Sequence, residues 1–326
     1  MSRDRNFPLQ QAGFSLVELM IAMAIGLVVV AAVGTLSLNA TRSYRAMNRS
    51  SEVIENGRYA LKIIKDDLEH AGFYGAFNPL NASPSLPASQ PDPCAAPTSA
   101  EILQRLASSF LLPVAGTCSA TLASKVSGTN ALIFLRANTQ STSLSVATNS
   151  TNTYLQTTPD EYIMGIGTNL INKRGTAASY YLQKPDGSTA DIRQLHVHLY
   201  YIRSYSQTGD GIPTLVRKAP IDSDSNAQAL IEGIENLQIQ YGIDGNQDGS
   251  PDTYSSTPSS MTVTDWSNVV SAKLFLLARS LEADRGYTDT KTYDLGNLTV
   301  TPGGPYHRRV FSQVVRLINV SERRER

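Results

Sequence analysis

The sequence predicts an α+β fold: a long N-terminal helix, first apolar and then amphipathic, packed on a head of mainly antiparallel β-sheet. Three observations predict it. Residues 14–38 are almost entirely apolar and carry one charge, Glu18. Residues 39–71 contain no proline and place apolar side chains at helical spacing between charged ones. From about residue 131 the apolar period shortens toward two, in runs separated by Gly, Asn, Asp and Pro. One helix followed by successive strands is the α+β order.

Residues 1–13, with Arg3, Asp4, Arg5 and Pro8, form a short soluble approach. Residues 14–38 follow as a helix that, at about 1.5 Å of rise per residue, is long enough to cross a ~30 Å hydrocarbon core. A carboxylate near the start of such a helix costs on the order of 2.5–3.5 kcal/mol on insertion scales, so Glu18 needs a cation. None lies between Ser15 and Leu38. A cut between Gly13 and Phe14 would create one, because the freed α-amino group of a neighbouring copy or related subunit has the right reach. A secretory signal is cleaved after its apolar region. Here the cut would precede it, and the mature chain would keep its anchor.

The run GFSLVEL followed by an apolar helix resembles the type IV prepilin signature. The resemblance implies a leader ending at Gly13, a mature N-terminus at Phe14 that prepilin peptidase frees and methylates, and an assembly role for Glu18 as the fifth mature residue. It also decides orientation. Arg42, Arg45 and Arg49 lie just beyond the span, so a count of basic flanks would not by itself put the N-terminus inside.

Residues 39–75 extend the helix out of the membrane. Met47, Ile54, Leu61 and Leu68 recur every seven, with Ala60 and Ile64 on the neighbouring row and Arg49, Glu52, Glu55, Lys62, Asp66 and Glu69 on other faces. The stripe fits a surface laid on the head better than a coiled coil of little more than three repeats. Gly72 and Gly75 end it. Residues 76–326 form the β-rich head. Residues 78–97, rich in Pro, Ser and Ala, read as an exposed loop, and 100–110 as a short amphipathic helix. Cys94 and Cys118 bracket that piece. They either close a disulfide in an oxidising periplasm, stabilising by about 3 kcal/mol in the loop-entropy model, or remain two free thiols.

Residues 131–137 read as a buried strand and 138–158, rich in Thr, Ser and Asn, as exposed strands and turns. Further strands are expected at 162–167, 178–183, 195–204, 214–221, within 229–244, at 268–280 and at 306–319. The run LIEGIENLQIQYGIDGNQDG, the 266–280 strand and the terminal RRVFSQVVRLIN resemble the head of PilW-type minor pilins and, more distantly, the J-type minor pseudopilin of type II secretion.

Two constellations bear on ligands. His196 and His198 share a strand face, but no third metal ligand is evident nearby. Asp244, Asn246, Asp248, Ser250 and Asp252 stand at positions 1, 3, 5, 7 and 9 of a loop with Gly249 at position 6, which is EF-hand spacing for calcium. The acid expected at position 12 is replaced by Ser255. The same residues also make a good hairpin turn. Calcium is thus the one cofactor the sequence suggests, and none is required.

Lys plus Arg and Asp plus Glu balance at 28 each, so no basic field argues for nucleic acid. No P-loop, G-x-S-x-G elbow, H-E-x-x-H or dinucleotide fingerprint occurs, and the four histidines form no triad, so an enzyme is not expected. The resemblance implies a minor pilin, single-pass in the inner membrane with a periplasmic head and then carried to the pilus tip, where it primes assembly. Its partners would be prepilin peptidase, other minor pilins, the major pilin, the inner-membrane assembly platform and, before assembly, membrane lipid. A minor pseudopilin of type II secretion and a calcium-dependent tip adhesin are the alternatives.

Overall fold

The computed structural model describes Gly13 and residues 15–80, 114–115, 122, 124–219 and 227–325. Cys94, Cys118 and the segment 100–110 lie outside the described residues. The chain divides into two compact units, Met1–Ser50 and Ser51–Arg326.

The first unit is helical from Leu16 onward. It is the leading part of a helix, α1, that runs Leu16–Glu69 without a break. The second unit begins within α1 and contains every strand described. Its part of α1 is built from good helix formers, with i,i+4 ion pairs Lys62–Asp66 (4.0 Å) and Lys65–Glu69 (3.4 Å) on the exposed side. The helix ends where the sequence indicates. Gly72 and Gly75 both take left-handed backbone, at φ +77° and +68°. The freed carbonyls are capped from the chain's other end: the Asn319 amide donates to the Glu69 and Ala71 oxygens (3.3 and 3.4 Å), and the Arg323 guanidinium donates to Gly72 O.

The buried stripe of α1 is Val53, Gly57, Ala60, Leu61, Ile64 and Leu68. The strict seven-residue repeat is therefore corrected at its N-terminal half. Met47 is exposed and Ile54 half-buried, while Val53 and Gly57 take the inner face, because an unsupercoiled helix advances 3.6 residues per turn and a seven-residue repeat drifts off its face.

The first sheet, in the order β1–β2–β7–β3–β4–β5–β6, comprises β1 (Val114–Ala115), β2 (Leu132–Ala137), β3 (Thr153–Thr157), β4 (Tyr162–Ile166), β5 (Asn169–Asn172), β6 (Ala177–Ala178) and the long β7 (Ile192–Arg203). β8 (Thr214–Lys218) joins β7, and β9 (Gln228–Glu232) joins β8. The second sheet runs β11–β10–β12–β15, from β10 (Ile234–Ile243), β11 (Thr253–Ser255), β12 (Val269–Arg279) and β15 (Arg308–Arg316). A small hairpin pairs β13 (Tyr293–Asp294) with β14 (Thr299–Val300). Every named pairing is antiparallel. Gly233, at φ +75°, turns the chain from β9 in the first sheet into β10 in the second. A Cβ there would press on Arg279 O.

One cluster holds α1 between these layers, joining Ile64 and Leu68 to Phe134 and Tyr200 of the first sheet and to Leu237, Ile239 and Leu274 of the second. Each fully buried Leu or Ile contributes about 1.5–3 kcal/mol. The one tryptophan, Trp266, lies edge-on to Tyr241 at 4.6 Å, on a short helix Val263–Ser267 that Thr262 and Asp265 cap reciprocally.

Two expectations are corrected here. Residues 138–158 are not all exposed: Tyr154, Leu155, Gln156 and Thr157 of β3 are buried. Gln156 is tolerated there because its amide is satisfied, donating to Leu182 O and Ala190 O and accepting from Leu182 N. The expected strand at 178–183 shrinks to β6 and an isolated bridge between Gln183 and Thr189.

Candidate functional site

Glu18 stands on the first turn of α1. Ser15 precedes the helix, its hydroxyl accepting from Val17 N (3.3 Å), while its own N–H donates to Glu18 Oε2 (3.0 Å). This is a Ser-x-x-Glu capping arrangement, in which the carboxylate answers a backbone donor left open by the helix start and faces the positive end of the helix dipole. Within one chain, then, one Glu18 oxygen already has a hydrogen bond. Sequence reasoning treated Glu18 only as a charge awaiting a partner. The S-L-V-E spacing was the available signal for the second role.

Gly13 lies beside this turn, and a Cβ built on it meets nothing within 4 Å. The chain's own packing therefore makes no demand for glycine, and any such demand comes from whatever reads the 13–14 bond. Phe14 lies outside the described residues. From Leu16 to Leu38 the large apolar side chains are more than half exposed all round the helix, with Leu16 at 76%, Leu27 at 71% and Leu36 at 69%. The helix is long and apolar enough to cross a membrane. A helix apolar on every side makes sense only when lipid or other helices cover it.

The acidic loop in the second unit is brought together as the spacing suggests, with its oxygens turned inward on the loop itself. Asp244, fully buried, accepts from Asp248 N (3.2 Å) and Gly249 N (3.0 Å). Asp252 Oδ2 accepts from Gly245 N (2.7 Å) and Asn246 N (3.2 Å). Asn246 donates to Asp248 Oδ2 (3.0 Å), and Ser250 N donates to Asp248 Oδ1 (2.8 Å). The cation at this site is Arg324, whose guanidinium reaches Asp244 Oδ2 at 3.2 Å and also donates to Ser267 O and the Asn268 side chain. Among the described residues no group of three or more His, Cys, Asp or Glu converges as metal ligands. Arg324, 80 positions from Asp244, has no local signal that sequence reasoning could have used.

A second charged centre was also missed. Asp67 lies on the buried side of α1, 8% exposed. Its Oδ1 takes the Arg136 guanidinium (3.2 Å), and its Oδ2 takes Tyr200 OH (2.5 Å) and His198 Nδ1 (2.9 Å), with Arg217 Nη1 at 3.9 Å. Burial alone would raise the Asp67 pKa. Hydrogen bonds from His198 and Tyr200 and the charges of His198 and Arg136 overcome it and hold the group at about 2. His196, its ring 5.5 Å from that of His198, is held down to about 4, first by burial and then by the charges of His198 and Arg136. His198 thus belongs to a carboxylate-centred network, and His196 lies beside it. A signal existed, since Asp67 follows Ala60 by seven positions and so falls on the inner stripe.

Residues 199–319 match the family model described as type IV pilus-assembly protein W, and residues 9–34 match the prokaryotic N-terminal methylation motif. No curated protein matches the chain. Among solved structures the chain is similar to a type IV-like pilin from Thermus thermophilus, at 14% identity over 68% of this chain and 93% of that one, with a TM-score of 0.30.

Proposed function

We propose that this chain, type IV pilin-like in its methylation motif and its protein W segment, is a minor pilin that helps start pilus assembly and is carried at the tip. One observation carries the proposal: residues 16–38 of α1 are apolar on every side, and their single carboxylate, Glu18, sits on the first turn, close in sequence to the Gly13–Phe14 bond. In this reading prepilin peptidase cuts that bond and methylates the new amine. The apolar helix then passes from lipid into a bundle of like helices, and Glu18 meets the terminal amine of a neighbour. In a water-poor bundle such a pair is worth far more than at an exposed surface. The size of the head favours a minor over a major subunit, since a filament built only of such heads would be hard to pack.

The test is the mature N-terminus. Mass spectrometry of protein from piliated cells is expected to find N-methylated Phe14 as the first residue, and Gly13→Ala is expected to leave the chain uncut. Glu18→Ala is expected to be cut normally and to be depleted from sheared filaments. A chain beginning at Met1 in piliated cells would overturn the reading. A deletion that abolishes exoprotein secretion and leaves twitching motility intact would move the chain to a type II secretion pseudopilus.

A further inference from the structure

The face of the first sheet that meets α1 changes character along its length. Leu132, Phe134, Tyr200, Ile202 and Leu215 lie under the helix in the core. Further along the same strands the side chains are cationic or imidazole. Arg136 stands directly across from His196, Phe134 from His198, and Tyr200 from Arg217 on the other side of β7. The polar end remains accessible, with the Arg217 side chain 31% exposed and that of Arg136 21%.

Asp67, from α1, is the carboxylate that these groups surround, and it does not balance them. Among the described residues one carboxylate faces two guanidiniums, so the cluster carries an excess of positive charge. The Asp67 oxygens are already occupied by Arg136, His198 and Tyr200. Arg217 stands off at 3.9 Å, beyond hydrogen-bond reach of Asp67, and among the described residues its guanidinium is engaged by Gln228 Oε1 (2.9 Å) and the facing Tyr200 hydroxyl, which leaves further N–H donors unspent. Arg136 spends Nε and Nη2 on Asp67, which leaves its Nη1 donors open. The half-buried His196 has no hydrogen-bond partner among the described residues. The acids on the adjoining turn of α1, Asp66 and Glu69, are paired with Lys62 and Lys65. Unspent donors on two guanidiniums and an imidazole, around a carboxylate with no remaining capacity, call for an acceptor from outside the chain.

We propose that Arg136, His196 and Arg217 form a binding site for a single small oxyanion of the carboxylate or phosphate class. A guanidinium presents paired donors to either group, and a neutral imidazole adds an N–H in either tautomer. Asp67 repels such an anion, which makes Arg217, the cation it engages least, the residue on which affinity most depends.

The histidines give a direct readout. The protein has four, so ring-labelled, untagged full-length chain in detergent micelles gives a simple imidazole spectrum, assigned by single substitutions. Inorganic phosphate and, separately, acetate are titrated at pH 7 and constant ionic strength, with sodium chloride as the balancing salt. The expected result is a saturable shift of the His196 and His198 signals, with His70 and His307 unmoved. Arg217→Gln is expected to weaken that apparent affinity at least tenfold at unchanged melting temperature. His196→Gln, a second variant that leaves the Asp67 contacts in place, is expected to weaken the curve read at His198. Shifts that never saturate with either anion, or that persist unchanged in both variants, would overturn the proposal. Saturation by only one of the two anions would support it and fix the class.

Discussion

At the level of single residues, Glu18 and Asp67, two of the carboxylates on α1, do opposite jobs. Glu18 is tied to the start of its helix by one hydrogen bond to Ser15 N, so its charge and its capping role can be separated. Glu18→Gln keeps an acceptor for the capping contact and removes the charge. Circular dichroism in micelles is therefore expected to show unchanged helix content, while sheared filaments lose the variant. Normal incorporation of the Gln form would mean that the charge has no part in assembly. Asp67 is instead a buried charge that its neighbours hold ionised. Its folded pKa lies below the unfolded value, so the stability it contributes is present above about pH 4 and is lost as pH falls toward 2, by about 2 kcal/mol in all. His196 acts in the window above. Its pKa falls from 6.5 in the open chain to about 4 in the fold, so protonation favours the unfolded chain and stability declines as pH drops through that interval. Urea unfolding at stepped pH is expected to show two acid limbs. His196→Gln should flatten the one between pH 6.5 and 4, and Asp67→Asn the one below it. A single limb unaffected by either variant would show that these groups do not carry the acid sensitivity.

At the level of elements, the seam between α1 and β15 tests how the helix is seated. The Phe311 ring lies where a Cβ on Gly57 would have to go, whereas a Cβ on Gly34 meets nothing. Gly57→Ala is therefore expected to destabilise the head by about 1–3 kcal/mol through overpacking, despite the better helix propensity of alanine. Gly34→Ala is expected to strengthen its own helix by up to about 1 kcal/mol. Melting temperature reads both, and Phe311→Leu in the Gly57→Ala background should recover part of the loss. A Gly57→Ala variant as stable as the parent would place the ring elsewhere. The same seam explains what was legible in the sequence. Leu61, Ile64 and Leu68 announce themselves by spacing, and Gly72 with Gly75 mark the end. Gly57 does not, because a glycine on the inner stripe scores as neither apolar nor charged, and only the ring opposite gives it a meaning. The burial of β3 was hidden for a related reason. Its Thr and Gln read as solvent-facing until Leu182 and Ala190, from a distant segment, satisfy the Gln156 amide.

Across the whole head, what the sequence conceals is held by pairs far apart in the chain. Arg308 grips Glu235 with two hydrogen bonds (2.6 and 3.1 Å) and Asp289 with a third (2.9 Å), and the C-terminal turn touches three separate regions. Asn319 and Arg323 cap α1, Arg324 enters the acidic loop, and Arg316 pairs with Glu325. Local pattern reading finds helices, strands and loop spacing. It cannot find a partner 80 or 250 positions away, so the spacing of the 244–252 loop suggests calcium and gives no sign of Arg324. Replacing that arginine separates the two readings. Arg324→Ala leaves the buried Asp244 carboxylate without its cation, at an expected cost of about 3–5 kcal/mol. The oxygens of Asn246, Asp248 and Asp252 stay close by, and calcium favours flexible sets of six to eight oxygens. Millimolar calcium is therefore expected to raise the melting temperature of Arg324→Ala well above any shift in the parent protein. Adding Asp244→Asn to that variant should abolish the response. Equal shifts in parent, single and double variants would mean that the loop is a turn locked by arginine and takes no metal, with its acids serving only the backbone N–H groups they already face.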